Sequence, residues 1–245
     1  MKRLLSLMVV LVVASAASAD QVENLDFTFS PTDDITVYYD NQGAKPTATG
    51  GFTFTTGAYV DNANPLDDLE ILANRTGDNP LVGYCIDLYQ TAVDGETYDL
   101  VALTSAPQGG GQGTMSAAKA TALAQMWKQF FADSLTNATT RGAFQLAVWE
   151  IIFEDWTTQS QLDVFNQETS TGFYATGVAG GDTGAIADKA AEYLGWDVNG
   201  DLANLVALTN GSKQDYVVEV PCPMISVQLL GLVAMFGLIR RRRKS

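Results

Sequence analysis

The sequence predicts an α+β domain: a β-rich N-terminal half forming a sheet or barrel, a buried central helical segment, and closing C-terminal strands. Runs of aromatic and β-branched residues punctuated by Gly, Asn, Asp and Pro fill the chain to about residue 103. A glycine-rich stretch then gives way to apolar residues at helical spacing, and β-branched runs return near residues 202–220.

The elements follow in order. Leu25–Phe29, Ile35–Tyr39 and Phe52–Thr55 read as strands on composition. Leu81–Tyr89 reads as a further strand, with Val82, Tyr84, Ile86 and Leu88 on one face and Gly83, Cys85, Asp87 and Tyr89 on the other. Pro107–Gly113 is a flexible linker: its glycines lack the strand-to-helix setting and the lysine that a phosphate loop needs. Thr114 or Ser116 is placed to cap a helix carrying Ala118, Leu123, Met126, Trp127, Phe130 and Phe131. A second helix is expected from Thr140 to about Asp155 and a third over Thr183–Leu194, with strands near Leu202–Leu208 and Tyr216–Val220.

Both ends carry export signals. Lys2 and Arg3, the apolar run Leu4–Val13 and the small residues Ala17-Ser18-Ala19 make a secretory signal over residues 1–19. At the other end Val220-Pro221-Cys222-Pro223 precedes the apolar stretch 224–239 and the basic cluster Arg240–Lys244. That stretch is slightly shorter than the roughly 20 residues of a usual spanning helix. The order of motif, apolar segment and arginine cluster over residues 220–245 resembles the PEP-CTERM class of sorting signals of Gram-negative bacteria. The resemblance implies a transient inner-membrane anchor and cleavage by an exosortase-type peptidase. Cys222 stands where the family motif has Glu, and an ordinary single-pass anchor is the alternative. Either reading puts the domain between them, residues 20–219, outside the cytoplasm.

Removing both ends leaves 28 acidic residues against 7 basic ones, a charge of about −21. Such a field repels nucleic acid and anionic lipid, so neither is an expected partner. It favours cationic or lysine-bearing surfaces. The chain has no histidine, which removes Cys-His and Ser-His nucleophile arrangements and nearly every zinc site. No cofactor is expected.

Two residues stand out. The run Ala143–Phe153 is apolar nearly all round, the pattern of a helix buried in a core, and Gln145 interrupts it. A buried carboxamide without partners costs a few kcal/mol, so something must satisfy or consume it. Cys85 is the only cysteine of residues 20–219, and an unpaired thiol is unusual in an exported protein. Tyr84-Cys85-Ile86 and Gln145-Leu146-Ala147-Val148-Trp149 together resemble the paired motifs of the thioester domains of bacterial surface adhesins, with Phe144 where that family often has Thr.

The resemblance implies that the Cys85 thiolate attacks the Gln145 side-chain carbonyl and expels ammonia. The resulting thioester then acylates an amine on a partner protein or extracellular polymer, reacting once rather than turning over. Tyr84, Phe144 and Trp149 would exclude water, with Asp87 beside the cysteine. The residues alone also admit a plainer role, in which Gln145 hydrogen-bonds a neighbouring backbone edge and Cys85 fills core space. In that case the protein is a non-catalytic component of an extracellular matrix or exopolysaccharide layer.

Other chemistry is thinner. Asp197–Asp201 has part of a calcium-loop pattern without its terminal Glu, and reads as a turn. Glu150, Glu154 and Asp155 invite a paired-carboxylate hydrolase, but are expected on the exposed rim of their helix.

Overall fold

The computed structural model describes residues 20–39, 45–60, 81–108, 113–164, 172–177 and 183–220. The signal segment 1–19, the linker glycines at 109–111 and the tail from residue 221, with its apolar stretch 224–239, lie outside the described residues. Among the described residues, no helix is long and apolar enough to cross a membrane.

The chain is mixed α+β. Strands β1 (Asp20–Tyr39), β2 (Lys45–Val60), β3 (Leu81–Cys85) and β4 (Glu96–Ala102) precede helices α1 (Ala117–Ser134) and α2 (Ala138–Phe153). Strand β5 (Phe173–Gly177), helix α3 (Thr183–Leu194) and strands β6 (Leu205–Asn210) and β7 (Lys213–Glu219) follow. All pairings are antiparallel, in the order β2-β3-β7-β6-β4-β1-β5. Because β1 also pairs with β2, six strands close into a ring, and β5 is added outside it on the far half of β1. Closure removes sheet edges that would otherwise expose unpaired backbone.

A single long strand serves on both sides of this ring because it is kinked. β1 pairs through Asp20–Leu25 with β4 and through Ile35–Tyr39 with β5, while running along β2 throughout. Its register shifts between Glu23 and Asp26, where Asn24 adopts φ 53°. Asn tolerates that left-handed conformation better than most residues, and a bulge there bends the strand.

Inside the ring, aromatic side chains meet edge to face or tilted. Phe27 lies 5.2 Å from Phe52, Phe54 lies 5.3 Å from Tyr216, and Tyr98 lies 5.7 Å from Tyr216. Gly83 is required at this packing: a Cβ there would meet the Phe54 ring, the Val217 carbonyl and Val218 Cγ1, each at 2.8 Å. The alternation of β3 therefore sends Gly83 and Cys85 towards the ring's aromatic filling and Tyr84 towards the helices.

Helix α2 is the centre of the other layer. Asn137 caps it reciprocally: Thr140 N–H donates to Asn137 Oδ1 at 2.9 Å, and Asn137 N–H donates to Thr140 Oγ1 at 3.2 Å. All but three of its residues are buried, as the nearly all-round apolar run Ala143–Phe153 predicts. α1 and α3 pack against it, and its other side rests on β1, β2, β3 and β5.

Ser116 is the cap of α1, accepting from Lys119 N–H. The expected strand Leu81–Tyr89 stops at Cys85: Ile86 N–H still bonds Asp215 O, but the Asp87 carboxylate accepts from Tyr89 N–H at 2.7 Å and turns the chain. Neither β4 nor β5 was among the expected strands, and the expected strands Leu25–Phe29 and Ile35–Tyr39 are parts of one strand, β1.

Candidate functional site

Strand β3 ends and helix α2 passes at the same place, and there Cys85 and Gln145 meet. Cys85 N–H donates to Gln145 Oε1 at 2.9 Å, and Gln145 Nε2 donates to the Cys85 carbonyl at 2.9 Å. The carboxamide thus pairs with the end of β3 as a neighbouring strand would, across 60 residues of sequence. The Cys85 backbone amide polarises the carbonyl that a nucleophile would attack, and the side chain bearing Sγ branches from that same residue.

The sulfur has its own setting. Cys85 Sγ donates to Asp87 O at 2.8 Å and accepts from Gln214 Nε2 at 2.5 Å, and Gln214 Nε2 also donates to Asp87 O at 3.1 Å. The Trp149 indole N–H is buried without a geometrically formed hydrogen bond, yet its position favours negative charge on the sulfur. Cys85 is only 1% exposed. Burial pushes its thiol up to about 12; the Asp87 backbone, Trp149 and Gln214 offset part of that, and the Asp87 charge adds to it.

A partly open cavity of about 430 Å³ lies over the pair. Cys85, Gln145, Trp149, Asp87 and Gln214 form its polar side, and Phe27, Phe29 and Phe52 an apolar side. Lys45 stands at its margin, where its ammonium donates to Leu88 O and to the Tyr39 hydroxyl. Burial holds the Asp87 carboxyl above its usual range, against the Tyr89 N–H and the Lys45 charge, which lower it.

The residues singled out in the sequence divide between two places. Gln145 and Trp149, one turn apart on α2, share the cavity face with Cys85 and Asp87. Tyr84 and Phe144 do not line the cavity. Strand alternation and the helical step turn both to the helical layer, where Tyr84 packs on Trp127 and Phe144 and its hydroxyl donates to Ser134.

Gln214 and Lys45 were missed. Gln214 reaches the sulfur from 129 residues away through the pairing of β7 with β3, and nothing in its local sequence marks it.

The acidic group on α2 needs a correction. Glu150 and Glu154, expected on an exposed rim, are 0% and 1% exposed, because this helix is enclosed on every side. Glu150 Oε1 accepts from Asp163 N–H at 2.7 Å, and Glu154 Oε2 accepts from Gly172 and Phe173 N–H, so both fasten the chain that follows the helix. Residues 197–201 form a turn, with Gly200 N–H on Asp197 O and Asn199 N–H on Asp197 Oδ1. Among the described residues, no three acidic or cysteine side chains cluster as metal ligands would.

Comparison with models of known families, with curated proteins and with solved structures gives no match.

Proposed function

We propose that the protein is an exported cell-surface attachment protein that forms a thioester between Cys85 and Gln145 and uses it to acylate an amine on a partner. The observation that carries this reading is the reciprocal hydrogen bonding of Gln145 with Cys85 beneath a partly open cavity that both residues line. In arming, the thiol sulfur bonds to the carboxamide carbon, the C–N bond breaks, and the thiol proton leaves with the nitrogen as ammonia. No oxidant or cofactor is consumed.

The export signals and acidic surface of the sequence support delivery to the outside and approach to lysine-bearing surfaces. A sorting peptidase acting at residues 220–245 belongs to the same proposal. The reciprocal bonds also satisfy a buried carboxamide, which favours the second reading, a non-catalytic matrix protein in which Gln145 is a structural clamp.

Intact-mass measurement of the domain 20–219 tests the proposal. The thioester predicts a mass one ammonia below that of the sequence, restored in Cys85→Ala. A full sequence mass in the wild-type domain overturns it.

A further inference from the structure

Resting on the thioester reading above, we propose that Gln214 supplies the hydrogen-bond donor to the sulfur leaving group when an amine opens the thioester. Its side chain is fixed where such a donor must be. Nε2 lies on Cys85 Sγ and on Asp87 O at once, so the amide is held by two acceptors. Its backbone is fixed too: Gln214 N–H donates to Thr91 O, and the next residues of β7 bond the chain at Ile86 and pair with Cys85. The turn from Cys85 to Thr91 is therefore bracketed by the strand that carries Gln214.

The chemistry gives this contact a direction. In a thioester the sulfur carries little charge and accepts hydrogen bonds poorly. As the amine nitrogen bonds to the Gln145 side-chain carbon, the C–S bond breaks and its electron pair moves onto sulfur. The sulfur then takes a proton from the new ammonium to become the Cys85 thiol. A preplaced N–H aimed at Sγ thus stabilises the transition state more than the armed ground state, which is the condition for accelerating the step. A neutral amide does this without holding the free thiol permanently as a thiolate, as a lysine in its place would.

The test is the rate of methylamine incorporation by the armed domain, followed by mass, in wild type, Gln214→Met and Gln214→Glu. Incorporation by the wild type is the control for the thioester reading; its absence removes that reading, whatever Gln214 does. Given incorporation, Gln214→Met, similar in length but without a donor, is expected to arm and to react at least about tenfold more slowly, the order set by loss of one hydrogen bond to a charged atom. Gln214→Glu is expected to be slow where its carboxyl is ionised and to regain rate, relative to wild type at the same pH, as that carboxyl is protonated and can donate. A merely structural role does not produce that crossover. Wild-type rates in an armed Gln214→Met domain, or a Gln214→Glu to wild-type ratio independent of pH, overturn the assignment. If Gln214→Met does not arm, the Gln214→Glu profile decides alone.

Discussion

Gln145 Oε1 and Nε2 hold the N–H and the carbonyl of Cys85 respectively, both at 2.9 Å, so one helical side chain completes the backbone pairing of a strand end. This relationship makes the residue hard to replace. In the unarmed Cys85→Ala background, Gln145→Ala leaves two buried backbone groups of residue 85 unpaired and is expected to destabilise the domain by about 2–4 kcal/mol, measured by urea unfolding. Gln145→Glu keeps the acceptor but sets a second oxygen against the Cys85 carbonyl, so it is expected to be destabilising and unable to lose ammonia. A Cys85→Ala/Gln145→Ala domain as stable as Cys85→Ala contradicts the arrangement.

The buried thiol keeps its proton at neutral pH, since burial pushes it up to about 12. Below that value the thiolate fraction rises about tenfold per pH unit, and the thiolate is the stronger nucleophile. Domain refolded from a denatured, unarmed state is therefore expected to arm faster as the pH is raised from about 7 to about 9, read as the rate of ammonia loss. A rate independent of pH shows that the proton moves directly from sulfur to nitrogen without free thiolate.

Glu150 makes stability fall with rising pH. Burial pushes its carboxyl up to about 8, helped by the charges of Glu154 and Asp163 and only partly offset by Asp163 N–H. The unfolded chain releases this proton near the ordinary value of 4.5. Above that pH the folded state binds the extra proton, so stability is greatest below it and declines by up to about 1.4 kcal/mol per unit until the folded group ionises. Asp215, pushed up to about 7 mainly by burial, adds a decline that ends sooner. Thermal melts between about pH 5 and about pH 8 are expected to show a falling Tm, flattened in Glu150→Gln, most plainly above pH 7. An unchanged slope in Glu150→Gln contradicts the assignment.

Gly83 sits two residues before the cysteine, where a Cβ would contact three groups at 2.8 Å. Gly83→Ala is expected to cost about 1–3 kcal/mol by overpacking and to slow arming by shifting the strand end that positions Cys85. Wild-type stability and arming in this variant contradict the close packing.

The class of fold was legible in the sequence for physical reasons, whereas the pairing of Cys85 with Gln145 was implied by the resemblance to thioester domains. Aromatic and β-branched composition made parts of β1 and β2 visible, alternation made β3 visible, and an apolar run without a polar face marked α2 as buried, within which a carboxamide stood out because burying it needs a partner. What stayed hidden was set by pairing at a distance. The closure of the ring through β1 and β2, the early stop of β3 and the arrival of Gln214 at the sulfur follow from strand register, which no local window contains. Glu150 and Glu154 misled because carboxylates usually mark an exposed face, whereas here each serves backbone N–H groups of the chain leaving the helix.

Methylamine labelling with peptide mapping probes the joining of sulfur to carboxamide most directly. One methylamine is expected on Gln145 in the wild-type domain, accompanied by release of a free Cys85 thiol, and none in Cys85→Ala. An unlabelled Gln145 in a folded wild-type domain, with Cys85 a free thiol from the outset, contradicts it and leaves the pair a hydrogen-bonded clamp.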